Sequence, residues 1–191
     1  MSTALESPRP HAVTVEEYMR MGEAGVFAPD ARLELIEGEI IEMAPIGPPH
    51  ASTVSILNRL FVRQSGDDAF VWIQNPMILG ERSMPQPDIA LLKSRVDDYS
   101  TRHPVPADIL LAVEVSDSTL AFDLKRKAPL YARFAVVEYW VVDVNTPAVI
   151  VHRQPSANGY AETFTASGDD EVVCAALPRV RISLKQLFRN L

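Results

Sequence analysis

Gln86-Pro87-Asp88-Ile89-Ala90-Leu91-Leu92 and Ile109-Leu110-Leu111-Ala112-Val113-Glu114-Val115-Ser116 decide how this chain folds. Each is an apolar, strand-like run carrying one carboxylate, and an acid within a buried strand is costly unless it is paired, hydrogen-bonded or metal-bound. Side chains alternate along a strand. Glu114 therefore shares a face with Leu110, Ala112 and Ser116, and Asp88 shares one with Gln86, Ala90 and Leu92. If the two strands are neighbours, the two acids meet.

The flanking segments supply the rest of an architecture. Thr14 followed by Glu17 forms a capping-box signature for a short helix ending near Gly22. Residues 33–43 read as a hairpin turning at Glu37-Gly38, which sets Ile36 opposite Glu39 and Glu34 opposite Ile41. Glu34 and Glu39 become diagonal neighbours on one face, with Glu39 the preferred accessory acid. After the loop Pro45-Ile46-Gly47-Pro48-Pro49, Val54, Leu57, Leu60 and Phe61 recur at helical spacing, with His50 at the helix start. A strand over residues 70–79 is interrupted by Asn75-Pro76, a sign of an edge or bulge. Beyond the two acidic strands come a helix over 120–135, a hairpin from 138–144 and 148–153, a weakly alternating stretch over 160–165, and a terminal helix over 184–191. The expected fold class is α/β of the α+β kind: a mixed β-sheet flanked by helices, with an N-terminal β-hairpin extension. Residues 1–12 read as a flexible leader and 13–191 as a single domain.

Two carboxylates held close together repel, and an oxygen-preferring divalent cation, Mg²⁺ or Mn²⁺, relieves the repulsion. Such an ion bound by Asp88 and Glu114 is suited to polarising a phosphate and activating water. At about 100° per residue, Leu120, Leu124, Ala128, Tyr131 and Ala135 form an apolar stripe that also contains Lys127, with Asp123 one turn before it. A lysine in such a stripe needs an acidic partner, and Asp88 and Glu114 are the nearest candidates. Pro129 complicates this placement: it removes a hydrogen bond to Lys125 if one α-helix runs through both, and fits a first turn if the helix starts near Ala128. Tyr131 reads more as core than as chemistry, and strand alternation puts one of Tyr139 and Trp140 inward. His11, His103 and His152 have no partner at metal-ligand spacing.

The chain has 191 residues, 47% apolar and 23% charged, an ordinary globular composition. A formal net charge of −7 weighs against reliance on a broad basic surface for nucleic acid, yet leaves room for an enzyme that grips phosphate locally. Cys174 is the single cysteine, so no intramolecular disulfide forms. No apolar run is long enough to span a bilayer and no signal peptide is evident, so a soluble, cytoplasmic protein without membrane association is expected. Cys-rich zinc patterns, phosphate-cradling glycine loops and nucleophile elbows are absent from the sequence.

Taken in order, Leu33-Glu34-Leu35-Ile36-Glu37-Gly38-Glu39, Pro48-Pro49-His50, Gln86-Pro87-Asp88-Ile89-Ala90, Val113-Glu114-Val115-Ser116, Asp123 with Lys127 and Tyr131, and Glu138-Tyr139-Trp140-Val141-Val142-Asp143 resemble the Uma-type restriction endonuclease family of the PD-(D/E)XK nuclease superfamily. The resemblance runs from about Thr14 to Phe188. It implies a restriction-endonuclease-like core with Asp88 and Glu114 as metal ligands. Where the superfamily often has a lysine, two residues after the second acid, this chain has Ser116, and the family pattern implies that Lys127 replaces it from the following helix. Ala135 stands where relatives usually carry glycine. The expectation is a Mg²⁺-dependent endonuclease acting on DNA, with Asp88, Glu114, Lys127, Glu39 and His50 at its centre, Glu34, Asp123, Tyr131 and Ser116 as accessories, and a homodimer as its assembly. Two readings compete with it. One is a nucleic-acid-binding or regulatory module that keeps the fold without cleaving; the other is a structural protein whose acids pair only with lysines.

Overall fold

The computed structural model describes residues 9–189; the greater part of the expected leader, residues 1–8, and the last two residues of the expected terminal helix lie outside them. Its centre is a six-stranded mixed sheet. The strands are β3 (Ala69–Ile73), β4 (Ile89–Lys93), β5 (Ile109–Ser116), β6 (Glu138–Asp143), β7 (Ala148–Ser156) and β8 (Gly159–Ser167), adjacent in that order. Every pairing is antiparallel except β5 with β6, which is parallel and is bridged by the helical segment between them. The separate hairpin β1 (Leu33–Ile36) and β2 (Glu39–Glu42) follows the helix α1 (Val15–Glu23), whose N-terminus has the Thr14–Glu17 capping box.

Both faces of the sheet are covered, which explains the near-continuous apolar strands. On one face α2 (Pro48–Ser65) inserts Val54, Leu57 and Phe61 against Leu91, Val113 and Trp140. On the other, Leu130 and Tyr131 pack with Ala90, Ala112, Tyr139 and Val141. Tyr139 and Trp140 are consequently both buried, where alternation on a one-sided sheet would bury only one. A two-stranded ribbon, β9 (Glu171–Val173) with β10 (Arg181–Ser183), and the short α5 (Leu184–Leu187) complete the first layer. The ribbon has no counterpart in the sequence reading, because three-residue strands carry too little alternation to register.

The hairpin turn is made by Glu37 (φ 54°) and Gly38 (φ 84°), the left-handed pair of a two-residue turn. Gly38 is required there twice over: a Cβ would also come within 2.7 Å of Ala12 Cβ. Thus residue 12, expected in the leader, packs against the hairpin.

Three elements depart most from the sequence-derived ones. The 70–79 strand stops at Ile73, on the sheet edge, where Gln74 takes φ 46° ahead of Asn75-Pro76. The terminal helix ends at Leu187 among the described residues. The helix over 120–135 is built in three parts: α3 (Leu120–Phe122), a wide π-type segment Asp123–Lys127, and α4 (Ala128–Arg133). The Ala128 N–H reaches back five residues to the Asp123 carbonyl. This widened turn accommodates Pro129 without breaking the helical path, as such bulges commonly do. The path then ends with Ala135 at φ 57°. Among the described residues, no helix is long and apolar enough to cross a membrane.

Candidate active site

In the antiparallel ladder Ile89 pairs with Val113 and Ala90 with Ala112, so Asp88, one step before β4, falls opposite Glu114. The Val115 N–H donates to Asp88 Oδ2 at 2.9 Å, His50 Nε2 lies 2.9 Å from the same oxygen, and Gln74 Nε2 donates to Oδ1 at 3.1 Å. Asp88 is only 6% exposed. Burial alone would raise its pKa, but the hydrogen bond and charge of His50, with the Val115 and Gln74 donors, outweigh burial and hold it below the usual carboxylate value.

Glu114 experiences the opposite balance. It is 4% exposed, and burial pushes its carboxyl well above the ordinary range against the pull of Lys127. Glu34, from β1, is raised for the same reason. Lys127 Nζ donates to Glu114 Oε1 at 2.9 Å and to Glu34 Oε1 at 3.0 Å. Burial disfavours the ammonium, but the two carboxylates more than compensate and raise the lysine above its usual pKa. Tyr131 is core, as its stripe implied, and its hydroxyl also lies 3.3 Å from Glu114 Oε1, a neutral donor.

Asp123 accepts hydrogen bonds from Ser116 Oγ at 2.7 Å and Thr119 Oγ1 at 2.6 Å. It therefore tethers the start of the π segment to the end of β5. Its charge also acts on Lys127, one turn later, whose own hydrogen bonds run to β1 and β5.

The expectation for Glu39 requires correction. Its side chain is 62% exposed and pairs with Arg126 at 3.0 Å on the surface. Its diagonal neighbour Glu34 enters the buried cluster instead. The two share a face of the hairpin, but Glu34 is buried on β1 beside Lys127, whereas Glu39 follows the turn at the start of β2 and reaches solvent. Lys127 is fully buried and paired with Glu114, as its stripe implied, but its second partner is Glu34 in place of Asp88, and it lines neither of the two spaces at the site.

Glu34, His50, Asp88, Glu114 and Asp123 converge on one cavity of about 40 Å³, room for one or two small species. An adjoining space of about 220 Å³ shares Glu34, Gln86 and Asp88 with it. Glu34 Oε2 has the Lys127 ammonium 3.0 Å away as its partner, whereas His50 Nδ1 is buried without a hydrogen bond. Hard oxygen donors with excess negative charge around the cavity fit a divalent cation of the Mg²⁺ type, which uses one or two carboxylates and keeps waters. Among the described residues no group of three His, Cys, Asp or Glu forms a ready chelating cage.

Sequence reasoning missed Gln74 and Arg32. Gln74 holds Asp88 from a loop with no periodic signal, and Arg32 lies at the cavity wall immediately before β1.

The Uma2 family, described as "Putative restriction endonuclease", matches residues 15–185, and the chain belongs to it. Its fold is also similar to that of a crystal structure described as "a putative nuclease belonging to DUF820" from Anabaena variabilis ATCC 29413. The TM-score is 0.77 and the identity 17%, over 93% of this chain and 98% of that one, a likeness of fold. No curated protein matches the chain.

Proposed function

We propose that this protein is a Mg²⁺- or Mn²⁺-dependent endonuclease that hydrolyses phosphodiester bonds in DNA. The observation that carries the reading is the placement of Asp88 opposite Glu114, with Glu34 beside them, around one small cavity. Membership of the endonuclease family supports the same chemistry.

In this reading Asp88 and Glu114 hold the ion, which when bound supplies Lewis acidity toward a phosphoryl oxygen and toward water. The protein's own groups do the rest. Val115 N–H, Gln74 and His50 fix Asp88 in its charged form and in one orientation. Lys127 and Tyr131 orient Glu114, and Lys127 keeps Glu34 within the same cluster. Lys127 acts as a positioning residue that keeps the acids together rather than as a group touching substrate. His50, at the cavity wall, holds Asp88 through its Nε2. Two copies, one per strand, account for double-strand cleavage, so we propose a homodimer working in the cytoplasm.

The test is incubation of the protein with supercoiled plasmid in Mg²⁺ or Mn²⁺, beside folded Asp88→Asn and Glu114→Gln variants. Nicked or linear product from the wild type alone supports the proposal. A second reading, a binding module that does not cleave, draws on the burial of Lys127 away from the cavity, its ammonium held by Glu34 and Glu114. DNA binding that persists in EDTA, without product in either metal, would favour it.

A further inference from the structure

We infer that Arg32 receives the substrate phosphodiester at the mouth of the acidic cavity, an inference that rests on the nuclease reading above. The argument begins with charge. The walls of the small cavity include five acids, Glu34, Asp88, Glu114, Asp117 and Asp123, and among the described residues Arg32 is the one Lys or Arg that lines it. Arg32 also lines the adjoining larger space, where among the described residues it is again the one basic wall residue, beside Glu34 and Asp88. A phosphodiester anion that approaches these acids requires compensating positive charge. Lys127 is unable to supply it directly, being buried and bound to two carboxylates.

The geometry of β1 explains why Arg32 is suited to this role. Residues two apart on a strand share a face, so Arg32 continues the face that carries Glu34. The Arg32 carbonyl accepts from the Met43 N–H at 2.8 Å, which extends the hairpin ladder by one step and fixes the backbone there. Its guanidinium Nη1 donates to the Ala44 carbonyl, a neutral acceptor. By contrast, Arg95, Arg102, Arg126, Arg133 and Arg153 all pair with carboxylates. Arg32 is exposed and has no carboxylate partner among the described residues. A guanidinium held by one backbone contact keeps other N–H donors in the planar fork that fits two phosphate oxygens.

Binding of a fluorescein-labelled DNA duplex to the full chain, followed by anisotropy in Ca²⁺ across a salt series, tests the inference for wild type, Arg32→Ala and Arg32→Lys. Calorimetric Mn²⁺ titrations of the same proteins run in parallel. We expect Arg32→Ala to lose about tenfold or more in DNA affinity and to flatten the salt dependence by about one unit. Arg32→Lys should recover the slope but only part of the affinity, with Mn²⁺ binding unchanged in both. A wild-type protein that binds DNA, with an Arg32→Ala variant of equal affinity and slope, overturns the inference alone and leaves Arg32 as a solvated surface residue. Loss of Mn²⁺ binding in Arg32→Ala also overturns it, because the arginine would then act through the acids. A wild type that binds neither DNA nor Mn²⁺ overturns the nuclease reading, and the inference falls with it.

Discussion

The Nζ of Lys127 lies 2.9 Å from Glu114 Oε1, and both side chains are shielded from water. Removing one partner of such a pair leaves a buried charge uncompensated, at a cost of about 3–5 kcal/mol. Lys127→Met should therefore be strongly destabilised in urea unfolding. Adding Glu114→Gln to it should restore part of the loss, since the carboxylate that needed the ammonium is gone. Additive single-variant losses would mean that the two residues do not act as a pair.

The acids should separate by position. Asp88→Asn and Glu114→Gln are expected to abolish Mn²⁺ binding in calorimetry and to lower any cleavage rate by at least about 100-fold. Glu34→Gln should weaken both, while Glu39→Gln, exposed beside the hairpin turn, should stay within about twofold of the wild type. Equal losses from Glu34 and Glu39 variants would contradict the burial difference between them.

Ala135 takes the left-handed φ of 57° on the surface after α4. That conformation costs a non-glycine residue about 1–2 kcal/mol, partly offset by the greater chain entropy of glycine when unfolded. Ala135→Gly should raise stability by about 0.5–1 kcal/mol, read as a higher urea midpoint with an unchanged slope.

His152 stacks on Tyr139 and hydrogen-bonds Thr163 at 3.0 Å, and burial lowers its pKa below the ordinary value of 6.5. The folded state thus takes up this proton less readily than the unfolded state. Its contribution to stability is fully present above pH 6.5 and is lost as the pH falls through the lower, folded value. His152→Phe should show a shallower fall in stability than the wild type between pH 7 and pH 5. Parallel profiles would assign the fall to other groups.

Cys174 is buried, and burial together with the nearby charge of Glu138 pushes its thiol up to about 12. It should resist disulfide-exchange reagents at pH 8 in the native protein and react fully in urea. Rapid labelling of the native protein would indicate opening around the small ribbon formed by β9 and β10.

Much of this fold is legible because its strands sit between two apolar layers. The period-two rule places Asp88 and Glu114 on one face, and the Glu37-Gly38 turn sets the hairpin register without help from tertiary contacts. The inward direction of Lys127 and its pairing with Glu114 are also legible from its apolar stripe, whereas its second partner, Glu34, is not. Glu34 and Glu39 are equivalent on the hairpin, and the choice between them depends on how that hairpin lies over the sheet. Gln74 is hidden for a different reason. It reaches Asp88 from an irregular loop, where neither spacing nor composition marks a contact across the sheet edge.

The widened turn Asp123–Lys127 makes chain length, as well as composition, a condition for this cluster. Deleting one residue within it would turn everything downstream by about 100°, and the next position, not the ammonium, would meet Glu114. Homologous chains that keep every acid but lose that extra residue would therefore have to supply the positive charge from a different address in the sequence.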